Sequence, residues 1–338
     1  MTGVRVAVLG ATGAVGTEML NVLAERDFPI SELKLLADPN DAGKKIVFKG
    51  KEYTVELATN DSFNDIDITL VAVGNDISLM FTPEAVKRGN VVVDNSSAYR
   101  MDPAVPLVVP EVNPQDVASN QGIIANPNCS TIIAMVAINA LHKYAKINRM
   151  IVSTYQAVSG AGVAGVAELK NQARDILDGK PAVPGVFQHQ IAFNLIPHID
   201  YFEDNGFTHE EMKMVNEGRK ILGHPELQVN CTCIRVPVFR SHSESITIET
   251  DKEITPEMAR ELLKNAPGVK LVDDPANNLY PMPIDSSDQD LVFVGRIRKD
   301  ITKENSLTFW CCGDQVRKGA ATNAVQIAEI VAQNIMSK

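Results

Sequence analysis

The chain has 338 residues, a formal net charge of −10 and five cysteines. This length predicts two domains. The acidic balance argues against nucleic acid as a partner, because a phosphate backbone demands a basic face. We expect no signal peptide and no membrane span, because no apolar run approaches about 18 residues. The odd, irregularly spaced cysteines do not fit a disulfide framework, and a reducing cytoplasm is the simplest setting.

The first third of the chain alternates short β-branched runs with helical patterns, which is typical of a parallel α/β sheet. We predict a helix around residues 83–89 that begins with Pro83 near its first turn and ends at Gly89. A second helix is predicted over 17–26, and strands over 4–9, 33–38, 68–73 and 90–94. This order predicts a Rossmann-like, doubly wound sheet.

The pattern changes near Asn126, where a tight Asn-Pro-Asn turn precedes a long apolar helix. Strands with intervening helices follow, which indicates a second domain of the α+β class. We predict helices over 130–144 and 322–336, and strands over 231–239, 245–250, 290–298 and 306–312.

A glycine-rich loop lies between the first strand and the first helix, at Gly10, Gly13 and Gly16. Glycines there permit a tight turn and a close approach of the backbone to a pyrophosphate on the helix N-terminus. Ala72 and Gly74, after a later strand, fall where such a sheet exposes backbone to the same cofactor. The loop therefore predicts dinucleotide binding.

Cys129 stands where the long apolar helix begins. The helix N-terminus carries a partial positive charge that favours a thiolate, as a nucleophile requires. A small buried cysteine in a helix cap is an equal alternative on these residues alone. The other four cysteines are interpreted as structural, and without a CxxC pair or matching histidines we predict no metal site.

Seven motifs occur in order and together resemble the whole chain of the aspartate-β-semialdehyde dehydrogenases. They are GATGAVG (10–16), DNSSAYR (94–100), NPNCST (126–131), TYQAVSGAG (154–162), EEMK (210–213), RVPVFRSHSE (235–244) and GDQVRKGAATNAVQ (313–326).

The resemblance implies a dinucleotide-binding domain over 1–128 plus 323–338, and a catalytic and dimerisation domain over 129–322. It implies a homodimer that converts L-aspartyl-4-phosphate reversibly to L-aspartate 4-semialdehyde and phosphate, in the biosynthesis of lysine (with diaminopimelate), threonine, methionine and isoleucine.

The resemblance also assigns roles to single residues. Cys129 is the nucleophile that forms a thioester, His242 the acid–base residue, and Gln156 the residue that orients the substrate. Arg235 binds the substrate α-carboxylate, and Glu210 binds the α-ammonium group. Phosphate is held by Arg100, Lys213 and Asn128. Cofactor contacts are expected at Gly10, Thr12, Gly13, Ala14, Val15, Gly16, Asp38, Ala72, Gly74, Ser159, Gly160, Gln315 and Asn323.

Without the resemblance, Glu210 and Lys213 would be an ordinary ion pair on a solvated helix face. Thr208, with Glu211 three positions later, fits a capping box. That pattern gives Glu211 a structural role and leaves Glu210 for the substrate.

Arg235 and His242 are an odd number of positions apart, so an unbroken strand would point them to opposite faces. For both to meet one substrate, the strand must break or bulge between them. Proline is poorly tolerated inside a sheet, so we predict the break at Pro237.

The cofactor implied by the resemblance is NADP, but the segment after the second strand departs from the family. Most relatives carry small hydroxyl residues and an arginine there, whereas this chain reads Ala-Asp-Pro-Asn-Asp over 37–41. An acidic residue at this point hydrogen-bonds the ribose 2′-hydroxyl of NAD and repels a 2′-phosphate. Asp38 therefore predicts that NAD is used at least comparably to NADP, unless Lys44 and Lys45 approach the phosphate.

Two other functions compete with this interpretation. An enzyme like N-acetyl-γ-glutamyl-phosphate reductase shares the domain plan and the cysteine chemistry, but its acetylated substrate would offer Glu210 no cation. A non-catalytic dinucleotide sensor would need none of Cys129, Gln156 and His242.

Overall fold

A computed structural model describes residues 3–337 of the chain. Two compact units are present, one formed by the residues up to Asn128 with those from Ala320 onward, the other by Cys129–Gly319. Within residues 3–337 no helix has the length and apolar character needed to cross a membrane.

A parallel sheet forms the centre of the first unit. The N-terminal elements are β1 (Val4–Leu9), α1 (Ala14–Glu25), β2 (Ile30–Ala37), β3 (Lys45–Phe48), β4 (Lys51–Thr54), β5 (Glu56–Leu57), β6 (Ile68–Val71), α2 (Asn75–Lys87), β7 (Val91–Asp94) and β8 (Ile123–Ala125). Six of the strands pair in the order β5-β2-β1-β6-β7-β8. This is the arrangement of a doubly wound dinucleotide-binding sheet, in which central strands such as β1 are apolar on both faces.

The second unit is built on a mixed sheet. Its elements are α3 (Cys129–Tyr144), β9 (Ile147–Gln156), α4 (Gly162–Leu177), α5 (His209–Ile221), β10 (Gln228–Arg235), β11 (His242–Thr250), α6 (Pro256–Lys264), β12 (Val269–Leu271), α7 (Pro283–Ser286), β13 (Val292–Lys299) and β14 (Ser306–Gly313). The strand order is β10-β9-β11-β14-β13-β12, with antiparallel pairs at the centre. The predicted fold class, a Rossmann-like sheet followed by an α+β domain, is confirmed.

The last helix, α8 (Thr322–Met336), returns to the first unit. Its apolar stripe, including Val325, Ala328 and Ala332, joins the same buried core as Val8 and Leu70. The N-terminal and C-terminal parts of the chain therefore share one hydrophobic core.

Two predicted boundaries are wrong. The helix predicted to begin near Pro83 begins at Asn75, and Pro83 lies inside it. The Pro83 side chain is exposed, so water can satisfy the backbone carbonyl that loses its helical hydrogen bond. The strand predicted over 231–239 ends at Arg235, before Pro237, and the next strand begins at His242. The break predicted between Arg235 and His242 is confirmed.

Candidate active site

The glycine loop of the first unit needs glycine at two positions. Gly10 has a φ of +86°, and a Cβ there would lie 2.5 Å from the carbonyl oxygen of Ala72. A Cβ on Gly16 would lie 2.0 Å from the carbonyl oxygen of Gly10. A side chain at either position would clash with neighbouring backbone, so glycine is needed for the tight turn and for the close packing of α1 against the loop.

A cavity of about 540 Å³ opens beside this loop in the first unit. Gly13, which lines it, is also the N-cap of α1, and unpaired N–H groups at a helix N-terminus favour a bound phosphate. The residues present therefore fit a dinucleotide. The lining includes Gly10, Thr12, Gly13, Asp38, Asp41 and Ala72.

The remaining predicted cofactor residues lie in other places. Ala14, Val15 and Gly16 form the first turn of α1, and Gly74 is the N-cap of α2. Three further predicted cofactor residues belong to the second unit: Ser159, Gly160 and Gln315.

The predicted cofactor residue Asn323 lies in α8 and is fully buried in the first unit. Its Nδ2 donates to the carbonyl oxygen of Val108 at 2.9 Å and to Oδ1 of Asn126 at 2.7 Å. Asn323 therefore supports the Asn-Pro-Asn turn that precedes Cys129, a role that the sequence did not indicate.

Two carboxylates line the cavity after β2. Asp38 accepts the backbone N–H of Asn40 at 2.7 Å. Asp41 accepts the hydroxyl of Thr12 and pairs with Lys44, and these contacts lower the pKa of Asp41, Lys44 contributing most. The sequence pattern alone assigns no role to Asp41. A second acidic residue in that short segment was the available signal.

The predicted phosphate residues Arg100 and Asn128 lie in the first unit. The guanidinium of Arg100 donates from Nε to the carbonyl oxygen of Asn126 and from Nη2 to that of Asn95, both at 2.9 Å. These bonds attach a buried cation to the same turn that contains Asn128.

Cys129 is the first residue of α3 and is partly exposed, whereas the other four cysteines are buried. A Cβ on Gly319 would lie 2.9 Å from the Cβ of Cys129, so only glycine leaves room there. Burial raises the pKa of Cys312 to about 12 and also raises that of Cys311. Of the five cysteines, only Cys129 is therefore accessible to a molecule from outside.

Three strands place the predicted catalytic side chains at one edge of the second sheet. β9 ends at Gln156, which lies opposite the end of β10 at Arg235, while β11 begins at His242. Gly160 lies beside them, since a Cβ there would come within 2.8 Å of Arg235 Nη1 and 3.4 Å of His242 Cε1. The structure therefore brings Gln156, Arg235 and His242 together.

A hydrogen-bonded chain joins this edge to α5. Gln156 accepts the Thr154 hydroxyl at 3.0 Å and donates from Nε2 to Oε1 of Glu210 at 3.1 Å. Lys213 Nζ donates to Oε2 of Glu210 at 3.1 Å and to Asp200 at 2.8 Å. Three of the substrate and phosphate residues predicted in this unit are thus connected: Gln156, Glu210 and Lys213.

The capping box at the start of α5 is confirmed. The Thr208 side chain accepts the Glu211 N–H, and the Glu211 carboxylate accepts the Thr208 N–H at 2.7 Å. Glu211 also accepts the backbone N–H of Cys233 at 2.9 Å. Glu211 is therefore structural, as predicted.

The charged side chains at this edge of the sheet are buried. Glu210 and Arg235 are 6% and 7% exposed, and His242 is fully buried. Burial, with repulsion by Arg235, lowers the pKa of His242 to about 3, and Glu210 opposes the shift. Burial also lowers the pKa of Arg235, which interacts electrostatically with both Glu210 and Cys129. A cation and an anion beside a neutral imidazole and a cysteine suit a zwitterionic substrate with a reactive acyl carbon.

Comparisons with known proteins agree with this geometry. Residues 5–120 match a family model described as "Semialdehyde dehydrogenase, NAD binding domain", and residues 138–318 match "Semialdehyde dehydrogenase, dimerisation domain". An aspartate-semialdehyde dehydrogenase of Aquifex aeolicus is 56% identical over 333 residues, which cover 97% of this chain and 98% of that protein. The chain belongs to the aspartate-semialdehyde dehydrogenase family. The predicted family membership is confirmed, and the family is one of oxidoreductases.

Further members of the aspartate-semialdehyde dehydrogenase family are similar over their whole length. The protein of Bacillus subtilis is 51% identical over 335 residues, covering 97% of each chain. The crystal structure of aspartate semialdehyde dehydrogenase II from Vibrio cholerae, described as complexed with ASA, has 46% identity and a TM-score of 0.95, with 98% of each chain covered. These relatives do not favour the rival acetylated-substrate reductase.

Proposed function

We propose that this chain catalyses the reversible conversion of L-aspartyl-4-phosphate to L-aspartate 4-semialdehyde and inorganic phosphate, with a nicotinamide dinucleotide as the redox partner. The observation that carries the proposal is the buried Arg235–Glu210 pair beside His242. An α-amino acid presents a carboxylate and an ammonium group, and these two residues supply one partner for each. Lys213 and Arg100 supply cations for the phosphate.

The nucleophile of the proposed reaction is Cys129. Its thiolate attacks the acyl carbon, the bond to phosphate breaks, and a thioester forms on Sγ. When bound, the reduced dinucleotide supplies the hydride that converts the thioester to a thiohemiacetal. Breaking the C–S bond of the thiohemiacetal releases the semialdehyde and restores the thiolate. In the opposite direction phosphate attacks the thioester.

The remaining residues position the substrate and move a proton. Arg235 holds the α-carboxylate in a bidentate fork, and Glu210 holds the α-ammonium group. Gln156, fixed by Thr154 and Glu210, orients the acyl group beside Cys129. His242 exchanges a proton with the oxygen of the thiohemiacetal.

We further propose that NAD is used at least comparably to NADP. The support is a pair of carboxylates, Asp38 and Asp41, on the wall of the cavity beside the glycine loop. A 2′-phosphate near them would be repelled by about 4 kcal/mol for each unit charge pair at about 4 Å and intermediate dielectric. Lys44 is paired with Asp41, and Lys45 with Glu52, so neither lysine faces a phosphate alone.

We also propose a homodimer that forms through the second unit. The support is the dimerisation-domain match over 138–318 and a series of exposed apolar side chains in this unit, at Val163, Leu177, Val183, Phe193 and Leu195. Sedimentation at micromolar concentration should give twice the 36.8 kDa mass of the chain. A species of the single-chain mass would contradict the proposal.

The reaction is tested by incubating the protein with L-aspartate 4-semialdehyde, phosphate and either NAD or NADP. We expect the absorbance of the reduced cofactor to rise and the rise to depend on phosphate. Replacing the substrate by N-acetyl-γ-glutamyl semialdehyde tests the rival enzyme. Turnover of the acetylated compound alone would reject the proposal, and an absence of turnover with both would favour a dinucleotide sensor.

A further inference from the structure

Ser241, which immediately precedes His242, has a left-handed backbone. Its φ is +71°, and the residue is only 1% exposed. A residue with a Cβ adopts this conformation at a cost in free energy and keeps it only when its surroundings enforce it. The conformation sets the direction in which the chain enters β11, and therefore the position of His242.

Gln315 provides the contact that holds this backbone. Its Oε1 accepts the N–H of Ser241 at 2.8 Å. Its Nε2 donates to the hydroxyl of Ser159, in the turn Val158–Ala161 that follows Gln156. The Gln315 side chain, 3% exposed, thus joins the segment that precedes His242 to the segment that follows Gln156.

The backbone around Gln315 is itself fixed by Asp314. The buried Asp314 carboxylate accepts the N–H groups of Val316 and Arg317 at 2.9 and 3.0 Å. It also accepts Nε of Arg240 at 2.6 Å. Two consecutive residues after β14 therefore hold two consecutive residues before β11: Asp314 holds Arg240, and Gln315 holds Ser241.

We propose that Gln315 is a positioning residue for His242, acting through Ser241 and Ser159. The expected effect on kcat rests on the proposed function, whereas the hydrogen bonds of Gln315 are independent of it. It adds a second role to the cofactor contact that the family resemblance implies for Gln315, because each end of the amide makes a hydrogen bond inside the second unit and retains capacity for one more. Loss of the amide should disturb the proton transfer at His242 more than cofactor binding.

The kinetic test compares Gln315→Leu with the double variant Gln315→Leu/Ser241→Gly. Gln315→Leu should lower kcat at least tenfold and change KM for NAD or NADP less than threefold. Glycine adopts a left-handed backbone at little cost, so the double variant should have at least three times the kcat of Gln315→Leu. Gln228→Leu, at the exposed start of β10, is the matched control and should behave as the unmodified protein.

A raised KM for the cofactor with unchanged kcat would overturn the proposal in favour of a cofactor contact. A double variant no faster than Gln315→Leu would overturn the route through Ser241. The ¹⁵N signals of His242 give a readout that does not depend on turnover. In Gln315→Leu the Nδ1 signal should no longer show the hydrogen bond that Nδ1 accepts from the Ala157 N–H. An unchanged His242 spectrum would also overturn the proposal. A protein with no semialdehyde turnover but with this spectral change would reject the proposed function alone.

Discussion

The Nδ1 atom of His242 accepts a hydrogen bond from the backbone N–H of Ala157 at 3.0 Å. A neutral imidazole that accepts at Nδ1 carries its proton on Nε2. An imidazolium would place its Nδ1–H against the Ala157 N–H. This contact disfavours the charged form, as do burial and the nearby charge of Arg235. The ligand-free protein therefore holds His242 neutral, with an N–H at Nε2 available to a substrate oxygen.

Substrate binding should raise the pKa of His242 from its value of about 3. A carboxylate paired with Arg235 would cancel the charge that repels the imidazolium. We expect no titration of His242 between pH 5 and 8 in ¹⁵N spectra of the ligand-free protein, and an upward shift when the semialdehyde is added to a Cys129→Ala variant. Assignment uses His242→Asn. A ligand-free pKa near 6.5 would contradict this account.

The neutral state of His242 also affects stability. Because the folded pKa is depressed, the unfolded chain binds a proton below about pH 6.5 that the folded protein does not bind. The free energy of unfolding contributed by this residue is therefore present above pH 6.5 and is lost as the pH falls toward 3.

Substitutions at Arg235 and Lys213 should affect different substrates, the semialdehyde and phosphate respectively. Arg235→Leu removes a buried bidentate partner and should lower kcat/KM for the semialdehyde by about 3 kcal/mol, more than a hundredfold. Lys213→Ala should raise KM for phosphate about tenfold with a smaller effect on the semialdehyde, since one cationic contact of about 1.4 kcal/mol is lost. Lys180→Ala, an exposed lysine outside the site, is the control. If both variants changed phosphate alone, the roles given to them would be wrong.

Asp38→Ser should shift the cofactor preference toward NADP. Removing one carboxylate from the cavity wall reduces the repulsion of a 2′-phosphate. The kcat/KM ratio of NADP to NAD should rise at least tenfold, about 1.4 kcal/mol. Asp41→Asn should shift the ratio in the same direction. If neither variant changes the ratio, these carboxylates do not face the ribose. Separately, an NADP preference above tenfold in the unmodified protein would overturn the proposed use of NAD.

Glu244 should make the protein less stable as the pH rises. Its carboxylate is fully buried, neither oxygen has a hydrogen-bond partner among residues 3–337, and burial raises its pKa well above 4.5. Above pH 4.5 the unfolded chain releases a proton that the folded protein keeps, so the stability falls as pH increases.

Glu244→Gln keeps the shape of the protonated acid but cannot ionise. The melting temperature of this variant should exceed that of the unmodified protein by an amount that grows from pH 5 to pH 8. Glu304→Gln, at an exposed position, is the control. A difference that stays constant with pH would show that Glu244 is ionised in the folded state.

Local patterns predicted much of this molecule. The hydrophobic period and the residues that end helices and strands placed β1, α3 and α8 to within one residue. The odd separation of Arg235 and His242 required a break between them, which is present. Pro83 misled the prediction, because a helix can continue through an exposed proline despite the lost hydrogen bond and the clash of the ring with the preceding turn. Local sequence could not indicate that α2 continues through it.

The contacts that the sequence missed depend on residues far apart in the chain. Gly319 lies against Cys129, Asn323 supports Asn126, and Gln315 bridges Ser159 and Ser241. No period or spacing relates such positions. Asp41 differs from these, because a second carboxylate beside Asp38 could have been recognised from the segment itself.

The central claim is that Cys129 forms a thioester with the substrate, and a single-turnover measurement tests it most directly. The protein is mixed with L-aspartate 4-semialdehyde and oxidised cofactor, without phosphate. We predict a burst of one reduced cofactor per chain, an aspartyl adduct on the Cys129 peptide by mass spectrometry, and resumed turnover when phosphate is added. Cys129→Ala should show neither burst nor adduct while still binding the cofactor. Steady turnover without phosphate, or an adduct on Cys311 or Cys312, would contradict the account.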